Sequence, residues 1–230
     1  MGFPVSNFFY LGILVVSIIG PLAYSFESKL RFHSKWKALF SGTFVMMLIF
    51  IPWDAYFTYK GIWWFNPKYT LGVDLLFLPI EEWSFFIVIP FCCVFLYEVL
   101  NHVIKRDYFK KSAPVFFGTA SLILFVSGII FISHTYTAVT FLLTSLALFL
   151  LTTVKPSWSG RFLQMYVVSW LPFLVVNGAL TGAFTSAAPV NYNPGEIIGV
   201  RIWTIPVEDS VYSLLMLLTV VFVYERLRKA

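Results

Sequence analysis

Seven apolar runs, most of them long enough to cross a membrane as a helix, follow one another along the 230-residue chain. Crossing a hydrocarbon core of ~30 Å takes ~20 helical residues. Because 59% of the residues are hydrophobic and only 12% are charged, a water-soluble domain could not bury so much apolar surface. The sequence therefore predicts an all-α polytopic membrane bundle of seven transmembrane helices. The spans are expected near residues 5–25, 37–57, 74–100, 114–133, 135–154, 162–183 and 200–225.

The basic residues between the runs support this number of spans. With seven spans, all but three of the 16 Lys and Arg residues lie on one side of the membrane. Because basic loops stay in the cytoplasm, we expect the N-terminus outside and the C-terminus in the cytoplasm. The same residues form short clusters between apolar runs rather than one continuous basic face, which argues against nucleic acid as a partner.

The second half of the chain repeats part of the first. A shift of 127 residues places residues 66–98 on residues 193–225, with ten identities in 33 positions and no gap. The shared features include Pro79-Ile80-Glu81-Glu82 and its counterpart Pro206-Val207-Glu208-Asp209. A related match at a shift of 123 residues pairs Asp54 with Asn177 and Thr58 with Thr181. We interpret the pattern as an internal duplication.

The duplication predicts two parallel three-helix repeats. Spans one to three correspond to spans five to seven, and span four restores the direction of the chain. The two repeats are then related by a pseudo-two-fold axis along the membrane normal. We assign residues 1–105 to the first repeat, residues 106–133 to a linker helix and residues 134–230 to the second repeat.

The duplicated acids need an explanation, because charged groups inside a membrane are costly. The symmetry places both acid pairs at one depth, one to two turns into a span, and brings them together across the bundle axis. Pro79 and Pro206 are expected to interrupt their helices one turn earlier. Neighbouring residues of a helix point ~100° apart, so one acid of each pair can face a central cavity. Four further residues approach the same level from spans two and six, namely Asp54, Thr58, Asn177 and Thr181.

Several acids crowded in apolar surroundings should not all ionise, because desolvation and mutual repulsion favour one protonated acid beside an ionised one. Such a pair can act as general acid and general base. A structural alternative is a polar clasp, in which the acids only join the two halves through Asn, Thr, Tyr or Arg201. Asp74 and Arg201 hold equivalent repeat positions with opposite charges, which favours a cross-repeat ion pair. Glu98 and Glu225 are expected to pair with the basic clusters.

Several familiar motifs are missing from the sequence. It contains no dinucleotide-binding fingerprint, no phosphate-binding loop and no histidine cluster for a di-iron centre. Its only cysteines, Cys92 and Cys93, are interpreted as packing residues. Trp53, Trp63 and Trp64 mostly suit an interfacial aromatic belt, with the alternative that some of them line the mouth of a cavity. We therefore expect no cofactor and no metal. Redox-neutral acid–base chemistry on an apolar substrate and proton-coupled transport both remain open.

The two Pro-x-Glu-[Glu/Asp] motifs resemble the repeated signature of the lycopene cyclase domain family. Trp53-Asp54, Asn177-Gly178 and Gly199-Val200-Arg201 around them resemble the family too. The resemblance is to the non-flavin, heterodimer-type lycopene β-cyclases, in their fused single-chain form. It implies redox-neutral cyclisation of the ends of lycopene to β-ionone rings through a carbocation, giving β-carotene by way of γ-carotene.

The resemblance also implies partners and residue roles. The expected partners are lycopene, the lipid of a bacterial cell (inner) membrane and other enzymes of the carotenoid pathway. The implied catalytic residues are Glu81, Glu82, Glu208 and Asp209, supported by Asp54, Thr58, Asn177, Thr181 and Arg201. Aromatic rings would shield the cation. A cyclase acting on one end only, or a hydratase in which water captures the cation, would use the same acids.

Overall fold

The computed structural model describes residues 5–228, and seven α-helices follow one another within them. Single 3₁₀ turns, Val5–Phe8 and Phe32–Lys35, precede the first two. Taken with these turns, all seven helices are long and apolar enough to cross a membrane, so the predicted number of helices is confirmed. The helices are α1 Phe9–Tyr24, α2 Trp36–Tyr59, α3 Ile80–Val103, α4 Ala113–Ile130, α5 Thr135–Val154, α6 Ser159–Leu180 and α7 Val207–Leu227.

Six short strands in three antiparallel pairs lie in the loops that precede α3 and α7. Two pairs are hairpins, β2–β3 and β5–β6, and the third pair, β1–β4, joins the two halves of the chain. The strands are β1 Trp63–Phe65, β2 Asp74–Leu75, β3 Leu78–Pro79, β4 Val190–Tyr192, β5 Arg201–Ile202 and β6 Ile205–Pro206. We call this end of the bundle the acid end, and the opposite end the basic end.

The hairpins correct the predicted starts of the third and seventh spans. Residues 74–79 and 201–206 are strands and turns, and the helices begin only at Ile80 and Val207. The physical reason is proline, which disfavours helical backbone in the residue before it. Pro79 and Pro206 are therefore N-cap residues with extended ψ angles, and they do not interrupt a helix. All four motif acids lie in a first helical turn, closer to the helix ends than expected.

Hydrogen bonds at the acid end occur in pairs related by the shift of 127 residues. The Asn66 N–H donates to the Pro189 carbonyl at 2.7 Å, and the Asn193 N–H donates to the Ile62 carbonyl at 2.8 Å. Each bond of this pair crosses from one half of the chain to the other. These bonds extend the β1–β4 ladder at both of its ends, so backbone hydrogen bonds join the two halves at the acid end of the bundle.

A second set of crossed contacts ties the halves at the basic end. Tyr97 on α3 donates to Glu225 on α7, and Tyr224 on α7 donates to Glu98 on α3. Arg228 bridges both carboxylates, and Lys35 adds a second ion pair to Glu98. We call these six residues the basic-end cluster. The expected pairing of Glu98 and Glu225 with basic residues is confirmed.

The helices pack so that α2 and α7 meet most closely at Gly42. Other packed pairs are α1 with α3, α5 with α7, α3 with α6, and α4 with α5. A Cβ atom on Gly42 would lie 2.7 Å from the Val220 carbonyl oxygen, which is backbone and cannot swing aside. The glycine therefore sets the distance between α2 and α7.

Replacing Gly42 with valine should destabilise the protein by about 2 kcal/mol, because overpacking a close helix contact typically costs 1–3 kcal/mol. Thermal unfolding of purified protein in detergent measures the change. Gly12→Val on α1 is the matched control, since nothing lies within 4 Å of a Cβ added there. Equal effects of the two substitutions would mean that helix propensity, and not the α2–α7 contact, determines the result.

The hairpin turns carry bulky residues in left-handed backbone conformations. Leu76 and Phe77 have φ values of 52° and 66°, and Trp203 has a φ of 60°. Glycine or asparagine usually occupies such positions, because other side chains strain there. The three side chains are also more than half exposed.

Candidate active site

A cavity of about 390 Å³ lies within the bundle and reaches from the acid end toward the basic end. Side chains of α1, α3, α6 and α7 form most of its wall, which is mainly aromatic and aliphatic. Three acids line it near the acid end: Asp54, Glu82 and Asp209. Glu81 and Glu208 are buried but do not line the cavity.

Glu81 and Glu208 instead accept hydrogen bonds from the loops that lead into their helices. The Leu71 N–H donates to Oε1 of Glu81 at 2.7 Å, and the Ile198 N–H donates to Oε1 of Glu208 at 2.8 Å. The Thr137 hydroxyl also donates to Glu208, at 2.6 Å. Because neighbouring residues diverge by ~100° around the helix, this anchoring directs the next acid of each pair into the cavity.

On the first-half side, Glu82 lies beside Asp54. The Tyr10 hydroxyl donates to Oε2 of Glu82 at 2.5 Å. Trp63 Nε1 donates to Oδ1 of Asp54 at 2.7 Å and to the Thr58 hydroxyl at 3.0 Å. Oδ2 of Asp54 is buried and has no hydrogen-bond partner among the described residues, and Glu82 lines the same cavity. Two buried carboxylates in one small site repel each other, so this pair favours holding at least one proton.

On the second-half side, Asp209 accepts three hydrogen bonds from neutral donors. Tyr136 donates to Oδ1 at 2.7 Å, while Tyr192 and Asn177 donate to Oδ2 at 2.8 and 3.0 Å. Burial and the Asp209 carboxylate raise the pKa of Tyr192 well above its usual value, so its hydroxyl keeps the proton that it donates. Three donors aimed at one carboxyl group favour its ionised form.

Aromatic rings surround the space between the acids. Tyr212 lines the cavity together with all three acids, and its ring meets the Trp53 ring edge to face at 5.1 Å between centroids. Trp63 meets Tyr136 in the same way at 4.9 Å, and Tyr136 stacks on Tyr192 at 5.9 Å. Such ring faces carry partial negative charge and can stabilise a cation.

The β1–β4 pair covers the cavity at the acid end. Trp63 pairs with Tyr192 and Phe65 pairs with Val190, and all four side chains line the cavity. The cover is therefore built from both halves of the chain. It separates the acids from the water beyond the acid end, which strengthens electrostatic interactions among them.

The remaining predicted site residues lie at the edge of this arrangement. The Thr181 hydroxyl is 2.7 Å from that of Thr204, in the loop before α7. Arg201 is exposed, donates to the Thr204 carbonyl and lies 6.0 Å from the centre of the Tyr192 ring. The expected Asp74–Arg201 ion pair is wrong: in residues 5–228 the two side chains make no such contact. Both are exposed on separate hairpins, where water solvates them.

Sequence reasoning named Asn177 beside the acids but missed the tyrosine and tryptophan donors. A tyrosine begins a span in both halves, as Tyr10 and Tyr136, and this spacing was a signal that could have been used. Trp63 is buried, bonded to Asp54 and part of the cavity wall, so for this residue the cavity alternative holds and the interfacial belt does not. Tyr192 and Tyr212 offered no comparable signal.

Metal-binding groups do not accompany the acids. Over the described range, no group of three or more His, Cys, Asp or Glu side chains is arranged to hold a metal ion. Cys92 and Cys93 are unpaired thiols in the wall of the cavity, remote from the acids along α3.

Comparisons with known proteins follow the two halves of the chain. A family model described as lycopene cyclase matches residues 7–100 and 133–227. The bifunctional lycopene cyclase/phytoene synthase of Gibberella fujikuroi is 32% identical over 81 residues, which are 35% of this chain and 14% of that protein. The protein of the same name from Podospora anserina is 22% identical over 157 residues, 67% of this chain and 24% of that protein. The matched segments are thus a small part of these relatives. No solved structure matches the chain.

Proposed function

Because the chain belongs to the lycopene cyclase family, we propose that it closes rings at the ends of an acyclic carotenoid such as lycopene. The observation that carries the proposal is the placement of Asp54, Glu82 and Asp209 around one aromatic cavity. Cyclisation needs a proton delivered to the terminal double bond, a ring-closing carbocation and removal of a ring proton. It transfers no net electrons, so an acid, a base and a shielded cavity suffice.

Glu82 is the proton donor in this proposal. Its position beside Asp54 favours a protonated state, because two adjacent buried carboxylates repel each other. When Glu82 gives its proton to the substrate, the carboxylate left behind still accepts from Tyr10. In this proposal Asp54 carries a second proton of its own on Oδ2, which it donates to the Glu82 carboxylate after the transfer, and this role fits the unpartnered state of that atom. Asp54 is thus a positioning residue for the acid.

Asp209 is the base. Its three donors hold it as an anion on the opposite wall, where it can stabilise the developing cation and then accept the ring proton. Three hydrogen bonds weaken a carboxylate as a base, but a hydrogen on the carbon next to a cationic centre is strongly acidic and needs only a weak base. The aromatic rings around Tyr212 shield the cation until that proton leaves.

The finer assignments belong to the same proposal. A proton lost from the ring carbon next to the polyene gives the β-ring, and ring formation at both ends gives β-carotene by way of γ-carotene.

We also propose that residues 1–105 and 134–230 are parallel repeats, joined by residues 106–133, because crossed hydrogen bonds recur at the shift of 127 residues. The basic loops favour a cytoplasmic basic end. The bacterial membrane and contacts with other pathway enzymes remain predictions, since the matched relatives named above are fungal.

Ring closure in heavy water tests the proposed function. The purified protein is placed in liposomes containing lycopene, without added nucleotide, and the products are analysed by mass spectrometry. Each ring should gain one deuterium from the acid and lose one hydrogen to the base, so the product is one mass unit heavier per ring. In ordinary water the product should have the mass of lycopene.

Other outcomes identify the alternatives. A product heavier by a water molecule would indicate a hydratase. Unchanged lycopene with a folded protein would contradict cyclisation, and proton uptake driven by a solute gradient would then support a transporter. An unlabelled ring formed in heavy water would contradict an exchangeable carboxyl group as the proton source.

A further inference from the structure

The acids occupy only one end of an elongated cavity. The cavity-lining residues of α3 run from Glu82 to Leu96, and those of α6 run from Tyr166 to Leu180. At 1.5 Å per helical residue, each stretch is about 21 Å long. An extended carotenoid is about as long as the hydrocarbon core of a bilayer is thick, ~30 Å. The cavity is therefore too short for the whole molecule.

Both ends of the cavity are closed by contacts between the two halves of the chain. The β1–β4 pair covers the acid end. Toward the basic end the cavity reaches Leu96 and Leu217. The buried Glu98 lies about half a turn beyond Leu96, and the buried Tyr224 about two turns beyond Leu217. A long apolar molecule that has one end at the acids must therefore leave the cavity sideways.

A sideways opening lies between α1 and α6. Near the acids these helices meet, because Leu14 and Leu180 belong to one buried apolar cluster. Farther along, Ser17 and Pro21 on α1 and Phe173 on α6 line the cavity but are only partly buried. Helix α1 packs chiefly on α3 and is the least buried of the described spans. Both flanking helices face the lipid, so the opening leads into the bilayer.

We propose that the cavity admits one end of the carotenoid at a time through this opening, while the other half of the molecule stays among the lipid tails. The inference rests on the proposed cyclase function. All three cavity acids lie at a single end, so the protein forms one ring per binding event. The second ring requires the one-ring product to leave, turn around and enter again.

A product time course in liposomes tests the inference. With lycopene in large excess and conversion stopped at a few per cent, the one-ring product should account for nearly all product, and the two-ring product should follow after a lag. Isotopically labelled one-ring carotenoid added during the reaction should be converted to the two-ring product. Two-ring product formed without a lag, undiluted by the added label, would overturn the inference. Absence of any ring would instead contradict the proposed function.

A matched pair of variants on α1 tests the route. Ser17→Trp places a large side chain at the opening and should slow ring formation at least ~tenfold, because substrate entry becomes limiting. Val16→Trp, one residue away and 74% exposed to the lipid side, should leave the rate within about twofold. Equal rates in the two variants, both folded by thermal unfolding, would contradict entry between α1 and α6.

Discussion

Glu82→Gln and Asp209→Asn should each lower ring formation ~10²- to 10⁴-fold, the usual contribution of a general acid or base. Each amide keeps the size of the side chain and the ability to accept from Tyr10 or Tyr136. The glutamine cannot deliver a proton to an alkene, however, and the asparagine cannot accept one from a cation. Initial rates with lycopene in liposomes, normalised to folded protein, measure the loss.

The neighbouring motif acids provide the controls. Glu81→Gln and Glu208→Gln alter residues that face the hairpin loops, and each amide oxygen can still accept the N–H of Leu71 or Ile198. These variants should retain most of the activity. If Glu81→Gln were as damaging as Glu82→Gln, with both proteins folded, the assignment of one cavity acid to each motif would be wrong.

Glu98→Ala should be the most destabilising of the substitutions considered, at about 3 kcal/mol. Removing one partner of a buried ion pair typically costs 3–5 kcal/mol, and we take the lower limit because Lys35 and Arg228 are partly exposed. The loss leaves Tyr224 without its acceptor as well. For a chain of this size the melting temperature should fall by roughly 10 °C. Thermal unfolding in detergent measures the change.

Two comparisons test whether the loss of stability comes from the basic-end cluster or from the removal of any acidic side chain. Asp74→Ala, on an exposed hairpin and in no ion pair of the described residues, should change the melting temperature little. Glu98→Ala combined with Arg228→Met should cost less than the sum of the single substitutions, because the two residues share one network. Additive losses would show that the basic-end cluster does not act as a unit.

The sequence predicted the positions of the helices best, because the length and hydropathy of a segment decide whether it can cross a membrane. Runs of apolar residues located all seven helices, because length and hydropathy determine which segments cross a bilayer. It failed at residues 74–79 because Leu75, Leu76, Phe77 and Leu78 are as apolar as the helix that follows. Composition cannot distinguish such a hairpin from a helix. Only Pro79 marked the end of the hairpin, because a proline disfavours helical backbone in the residue before it.

The site was only partly predictable for a different reason. The duplication drew attention to four acids, but the direction of each depends on where its helix begins, and hence on a turn that the sequence did not reveal. Trp63 reaches Asp54, and Tyr192 reaches Asp209, because strands from opposite halves pair across the acid end. The strand pairing joins residues more than 120 positions apart, so it leaves no local pattern in the sequence.

The strained hairpin turns precede the helices that carry Glu82 and Asp209, and their tips are exposed to the surroundings of the protein. Leu76, Phe77 and Trp203 hold left-handed conformations that cost of order 1–3 kcal/mol each in an unsupported chain. Besides the hydrogen bonds of the hairpins, an exposed apolar tip can recover such a cost where lipid replaces water around it. The same hairpins lead directly into the first turns that carry Glu82 and Asp209. A bilayer that meets these tips would therefore support the backbone that sets the directions of Glu82 and Asp209.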